Sequence, residues 1–325
     1  MQTPQDRLGV LLAEDLAAVN RLIRERMASE HAPRIPEVTA HLVEAGGKRL
    51  RPLLTLAAAR LCGHGGPHHV HLATAVEFIH TATLLHDDVV DESAQRRGRP
   101  TANLLWDNKS SVLTGDYLFA RSFQLMVETG NLRVLDILAD ASATIAEGEV
   151  LQLTAAQSLS TDEDIYSRVI RGKTAALFAA ATEVGGVIAG APPEEIEALR
   201  IYGDALGMAF QIADDLLDYA GTDSIGKNRG DDFRERKVTL PVIRAVAAEP
   251  AERAFWVRVI EKGDQRDGDF AHALARMRAT GALESSAATA HGWAAKARAA
   301  LELFAPGPLR DTLSDLAAHV VARIA

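Results

Sequence analysis

Apolar residues recur at helical spacing along almost the whole of this 325-residue chain, as in Leu8, Leu11, Leu12, Leu16, Val19, Leu22 and Ile23. A period of about 3.6 residues lines such side chains up on one face of a helix, and the alternation that marks half-buried strands is hard to find. The chain is therefore expected to be all-α. Gly and Pro interrupt the pattern at His31 to Pro36, Cys62 to Pro67, Arg96 to Pro100, Ala191 to Pro193, Gly221 to Gly230 and Pro306 to Pro308, where helices are expected to end. No repeat, low-complexity tract or long linker intervenes, so residues 1–325 are expected to form a single domain.

Composition narrows the function classes. With 47% hydrophobic and 24% charged residues, there is ample material for a core. A formal net charge of -9 argues against nucleic acid as a partner, because a phosphate backbone needs a broad basic surface. A lone cysteine, Cys62, offers neither an intramolecular disulfide nor a thiolate metal cage. The N-terminal MQTPQDRLGVLLAEDL has no basic-then-apolar signal pattern, and the most apolar later stretch, AALFAAATEVGGVIAGA, is broken by Glu183 and a glycine pair. A cytoplasmic protein without a transmembrane segment is expected, with peripheral bilayer contact left open. The histidines of HGGPHHVH, at positions 64, 68, 69 and 71, lack acidic neighbours in sequence and read as solvated loop and helix-start residues.

Chemistry concentrates in two acidic strings. AVEFIHTATLLHDDVVDES reads as one long apolar helix ending in Asp87, Asp88, Asp91 and Glu92, and AFQIADDLLDYA repeats the device with Asp214, Asp215 and Asp218. Residues four apart share a helix face, so Asp87 and Asp91 form one pair and Asp214 and Asp218 a matching one. Like charges at that spacing repel, and carboxylates beside apolar faces are costly to desolvate, which points to a divalent cation between them. All-oxygen ligands select a hard ion, and magnesium (Mg2+) that also binds substrate phosphate is the usual case.

Basic clusters suit such a phosphate. In EAGGKRLRPLL, Lys48, Arg49 and Arg51 gather at an expected helix N-terminus with Pro52 as a first helical residue. Arg96, Arg97 and Arg99 follow the first acidic string in a short loop. RGKTAALF places Lys173 and Thr174 beside Gly172, but Ser167 stands where a phosphate-binding P-loop needs glycine and no strand precedes it. GKNRGDDFRERKVTLP offers Lys227, Asp231, Asp232 and Lys237 in a glycine-containing loop that could act as a lid.

In order along the chain, GGKRLRP, EFIHTATLLHDDVVDES, RRGRPTAN, GDYLFARSF, AEGEVLQL, GKTAALF, FQIADDLLDY and GKNRGDD with a following lysine resemble the motifs of the trans-type polyprenyl diphosphate synthases, the long-chain relatives of farnesyl diphosphate synthase. The resemblance runs from about Gly46 to Pro241 and implies a bundle of long antiparallel helices around a deep apolar cavity, usually a homodimer. It implies that Asp87 and Asp91 hold two magnesium ions on an allylic diphosphate and Asp214 a third, with Asp88, Asp215 and Asp218 completing the acidic sets. Lys48, Arg51, His80 and Arg97 would bind isopentenyl diphosphate, and Arg96, Lys173, Thr174, Gln211, Lys227 and Lys237 an allylic partner such as farnesyl diphosphate. Asp87, Asp91, Asp214, Lys173 and Lys227 would carry the catalytic role, and the ubiquinone side chain is the expected destination of the product. Two features depart from the pattern: Arg236 stands before Lys237 where relatives often carry glycine, and VVARIA lacks the basic tail of farnesyl synthases.

Rival readings fit less well. A terpene cyclase would mix Asn, Ser and Glu in its second metal motif, a histidine-dependent phosphohydrolase would need further ligating histidines, and a regulatory subunit would be expected to lose the acidic strings. Product length can be argued from helix geometry. A growing apolar tail runs back from the acids along FIHTATLLHDD, where it meets Thr83 and Ala82, then Ile79; farnesyl synthases resemble this segment but place bulky aromatics at the first two positions. At about one helix turn per isoprene unit, small residues leave room for several units and so for a long product; the segment's resemblance to those of octaprenyl and decaprenyl synthases implies about forty to fifty carbons, with decaprenyl slightly favoured. Ala82→Phe is expected to shift products to about fifteen or twenty carbons, because a packed passage does not absorb so large a ring. Full-length product from that variant at a comparable rate, read by chromatography of the dephosphorylated chains, would refute this account of length.

Overall fold

The computed structural model describes residues 2–29, 31–44, 49–96, 98–220 and 229–324. Helices dominate them, and the only β structure among them is a two-stranded hairpin, β1 (Gln95–Arg96) against β2 (Arg99–Pro100), antiparallel with Arg96 opposite Arg99. The all-α expectation holds. The expected breaks at Cys62 to Pro67, Ala191 to Pro193 and Pro306 to Pro308 fall at helix ends, that at His31 to Pro36 runs into the start of the helix Arg34–Glu44, residues 221–228 of the Gly221 to Gly230 break lie outside the described residues, and the basic loop after the first acidic string is this hairpin. Pro52 is also not the first residue of its helix, which spans Leu50–Leu61 and follows Arg49 in a left-handed conformation, φ 49°.

The chain divides into two compact units, each built from segments distant in sequence. The first comprises Met1–Ser142, Leu177–Arg200 and Leu303–Leu313. Its centre is the helix His68–Val90, buried almost continuously from Leu72 to Ile79 and packed against Asn108–Glu128, Leu50–Leu61 and Ala13–Met27. The approach is close enough that a Cβ on Gly115 would lie 2.2 Å from His86 Nε2, so any side chain there would displace the His86 ring. The second unit comprises Ala143–Ala176, Ile201–Glu302 and Ser314–Ala325, with a core around Tyr219, Phe233, Trp256, Ile260 and Met277. Burying each such side chain stabilises the fold by about 1.5–3 kcal/mol before chain entropy is counted.

Of the histidines of HGGPHHVH, His68, His69 and His71 do lie at a helix start, but His69 is not solvated as expected. His69 is 2% exposed, its Nε2 lies 3.0 Å from Asp15 Oδ1, and its ring meets His64 edge-on. The carboxylate comes from the helix Ala13–Met27, too far back in sequence to be seen as a partner. Arg60 donates to both oxygens of Asp15 at 2.8 and 2.7 Å and holds its carboxyl below the usual range against the opposing effect of burial. A depressed folded-state value means that this stabilisation is present above the ordinary aspartate range and disappears as pH falls through the folded value. Asp15→Asn is therefore expected to lower the melting temperature at neutral pH, at a cost of about 1–3 kcal/mol. The gap to wild type should narrow in melts run at pH values below the ordinary aspartate range; an equal gap at neutral and acid pH would show that the charge is not what matters.

Candidate functional site

Successive helix residues point about 100° apart, so the two adjacent aspartates of each acidic string cannot face the same way. In the helix His68–Val90, Asp87 is half-buried, Asp91 at the C-cap is exposed, and Asp88 has no exposure at all. Asp88 Oδ1 accepts from Arg96 Nε at 2.8 Å across the hairpin, while its Oδ2 has no hydrogen-bond partner among the described residues. Burial pushes this carboxyl up, against the pull of Arg96. His80, Thr83, Leu84 and Asp87 form a half-buried stripe one helix face wide, whereas Ala82 and Ile79 are fully buried.

The helix Pro193–Ala220 repeats the asymmetry. Gln211, Asp214 and Asp218 keep part of their surface, and Asp215 is 6% exposed. Both oxygens of Asp215 are engaged: Tyr166 Oη donates to Oδ2 at 2.6 Å and Gln211 Nε2 to Oδ1 at 2.8 Å. Burial, with Asp232 nearby, pushes its carboxyl up to about 7. Asp218 accepts the backbone N–H groups of Asp231 and Asp232 at 3.1 Å each and so caps the short helix Asp231–Arg234. Burial and Asp232 hold it at about 6.

The expected cations are placed as follows. Arg51 donates from NH1 to His80 Nε2 at 3.2 Å, with its guanidinium over the Phe178 ring at 4.5 Å, so two residues assigned to one diphosphate do come together. Arg49 instead pairs with the buried Glu77. Lys173 lies 3.1 Å from Glu149 Oε1, and Thr174 donates to Gln211 Oε1 at 2.8 Å. Lys237 bridges Asp232 at 3.3 Å and Glu235 at 2.6 Å. The residue before it, Arg236, has φ 60°, a left-handed conformation in which glycine is at ease and arginine is strained. Lys48, Arg97 and Lys227 lie outside the described residues.

The carboxylates of Asp87 and Asp91 in the first unit, and that of Asp214 in the second, are oxygen donors of the kind that a hard divalent ion such as magnesium takes. Among the described residues no three His, Cys, Asp or Glu side chains are arranged to hold a metal unaided.

Sequence reasoning passed over Tyr166, Glu149 and Phe178, whose roles rest on contacts remote in sequence. Gly148 in AEGEVLQL and Gly172 in GKTAALF are far apart in sequence but meet in the fold. A Cβ on Gly148 would lie 2.9 Å from Gly172 Cα and from Lys173 N, and one on Gly172 would lie 2.8 Å from Gly148 Cα. This contact seats the π-helical turn Arg171–Ala175, which carries Lys173 and Thr174, directly on the helix Leu132–Ala155. A glycine inside a helical pattern was the available signal. Gly148→Ala is expected to cost about 1–3 kcal/mol, seen as a lower urea midpoint at unchanged slope; a wild-type midpoint would mean that the two helices part at little cost.

Residues 32–277 match the polyprenyl synthetase family. The octaprenyl diphosphate synthase of Escherichia coli K12 is 45% identical over 320 residues, which are 98% of each chain. Among solved structures, a decaprenyl diphosphate synthase from Rhodobacter capsulatus superposes with a TM-score of 0.96 at 74% identity, covering 99% of each chain. A polyprenyl synthase from Caulobacter crescentus CB15, complexed with calcium and isoprenyl diphosphate, gives 0.93 at 52% identity over 99% of this chain and 98% of its own. With its all-α isoprenoid-synthase fold and its two acidic strings, the chain belongs to the polyprenyl synthetase family, groups with its long-chain trans-polyprenyl diphosphate synthases, and is a prenyltransferase.

Proposed function

We propose that this enzyme adds isopentenyl diphosphate repeatedly to an allylic diphosphate primer such as farnesyl diphosphate. The product is an all-trans chain of about forty to fifty carbons, serving as a ubiquinone side chain. The observation that carries the reading is the shared asymmetry of the acidic strings: each presents its first aspartate, Asp87 or Asp214, and turns the second inward. The residues 1–325 are read as one catalytic domain, because the family match runs unbroken from 32 to 277 through segments of both units. No helix among the described residues is long and apolar enough to cross a membrane; the reading is of a cytoplasmic homodimer that meets the bilayer only peripherally, when product leaves.

The chemistry follows from the side chains. Asp87, Asp91 and Asp214 supply hard oxygen ligands for magnesium, three ions with substrate bound, while Asp215 and Asp218 bond to the protein and Asp88 to Arg96 within the same acidic strings. When bound, magnesium stabilises the charge that builds on the departing diphosphate. Lys173, Thr174 and Gln211, with Arg96, Lys227 and Lys237, orient the allylic diphosphate. Arg51 and His80, with Lys48 and Arg97, hold isopentenyl diphosphate by charge-assisted hydrogen bonds. The allylic carbon–oxygen bond breaks to give a carbocation and pyrophosphate, the double bond of isopentenyl diphosphate supplies the electron pair of the new carbon–carbon bond, and the proton lost restores the alkene, with pyrophosphate as base. Apolar helix faces keep water from the cation. Thr83, on the half-buried stripe below Asp87, is the first of the length-setting residues that the tail meets, with Ala82 and Ile79 behind it.

Purified protein with magnesium, labelled isopentenyl diphosphate and farnesyl diphosphate should yield long dephosphorylated products. Asp87→Ala is expected to reduce turnover by about a thousandfold or more, with the far-ultraviolet helical signal unchanged, because the carboxylate acts chiefly as charge develops. Near-normal turnover of folded Asp87→Ala at saturating magnesium would defeat the metal assignment.

A further inference from the structure

Asp215 is adjacent to Asp214 yet faces the protein, and what meets it there is a chain of side chains that ends in the GKT turn. Tyr166, 5% exposed on the helix Glu163–Ile170, donates to Asp215 Oδ2 at 2.6 Å. Asp215 Oδ1 accepts from Gln211 Nε2 at 2.8 Å, and Gln211 Oε1 accepts from Thr174 Oγ1 at 2.8 Å. The Gln211 amide thus has its nitrogen and its oxygen committed in opposite directions, and turning it over would set its oxygen against the Asp215 carboxylate.

We propose that Tyr166 is a positioning residue for the allylic diphosphate: its hydroxyl anchors Asp215, which sets the orientation of the Gln211 amide and, through it, of the Thr174 hydroxyl. The proposal rests on the function argued above and deepens it by giving Asp215 a role other than metal ligation. A buried carboxylate needs partners for its lone pairs, and Tyr166 and Gln211 supply them from different segments of the chain. Without the tyrosine hydroxyl, Asp215 is left with one described partner, and rotation of its carboxylate releases the amide and the threonine together. Tyr166 touches no substrate in this account. Loss of it should weaken the grip on the allylic diphosphate and leave the isopentenyl diphosphate site, built from Arg51 and His80, as it was.

The test is a comparison of Michaelis constants for the two diphosphates in the full-length chain, for wild type, Tyr166→Phe, Asp215→Asn and the double variant. A hydrogen bond to a charged group corresponds to about a tenfold effect, so Tyr166→Phe should raise the constant for farnesyl diphosphate about tenfold while that for isopentenyl diphosphate stays within about twofold. In the Asp215→Asn background the further effect of Tyr166→Phe should largely vanish, because the relay is already broken. Loss of folded protein alone would lower turnover without this split. Equal shifts for both substrates, unchanged constants, or fully additive effects would overturn the relay. If Tyr166→Phe does not fold, Asp215→Asn alone must show the same selective rise or the proposal fails. A wild-type protein that condenses no diphosphates would instead overturn the function itself.

Discussion

A carboxylate taken out of water must be met by the protein, and helical pitch ensures that each acidic string buries one. Because Asp88 and Asp215 each stand about 100° around the helix from the aspartate before them, presenting Asp87 and Asp214 turns the second acid of each string inward. An unpaired buried charge is costly enough to unfold a marginal domain. The partners that remove this cost are Arg96 on the β1–β2 hairpin and Tyr166 and Gln211 beside the GKT turn. Those partners in turn tether the segments on which they sit, so the demand of two carboxylates organises much of what surrounds them.

The same economy governs the cationic side. Arg51 is stacked on Phe178 and bonded to His80, so its guanidinium is fixed in direction, and a preset cation loses less rotamer freedom when a diphosphate arrives. Lys173 and Lys237 are held by carboxylates that a substrate phosphate would have to displace. The Gly148–Gly172 contact brings two backbones together where any side chain would hold them apart, and so sets the depth at which Lys173 and Thr174 sit. Arg236, next to Lys237, holds a left-handed conformation that is strained for a residue with a side chain.

What the residues alone determined is the class of fold, the two acidic strings with their four-residue pairing, and the basic clusters around them. Each of these depends only on local spacing: a helical period, two carboxylates one turn apart, a glycine before a lysine. Tertiary structure decided which aspartate of each pair is presented, that Asp218 caps a neighbouring helix, that Arg96 answers Asp88, that Tyr166 stands behind Asp215, and that His69 is buried against Asp15. The physical reason is the same throughout: the rotation of a helix about its axis and the identity of whatever meets its buried face are set by packing against residues tens of positions away, and no local pattern carries that information.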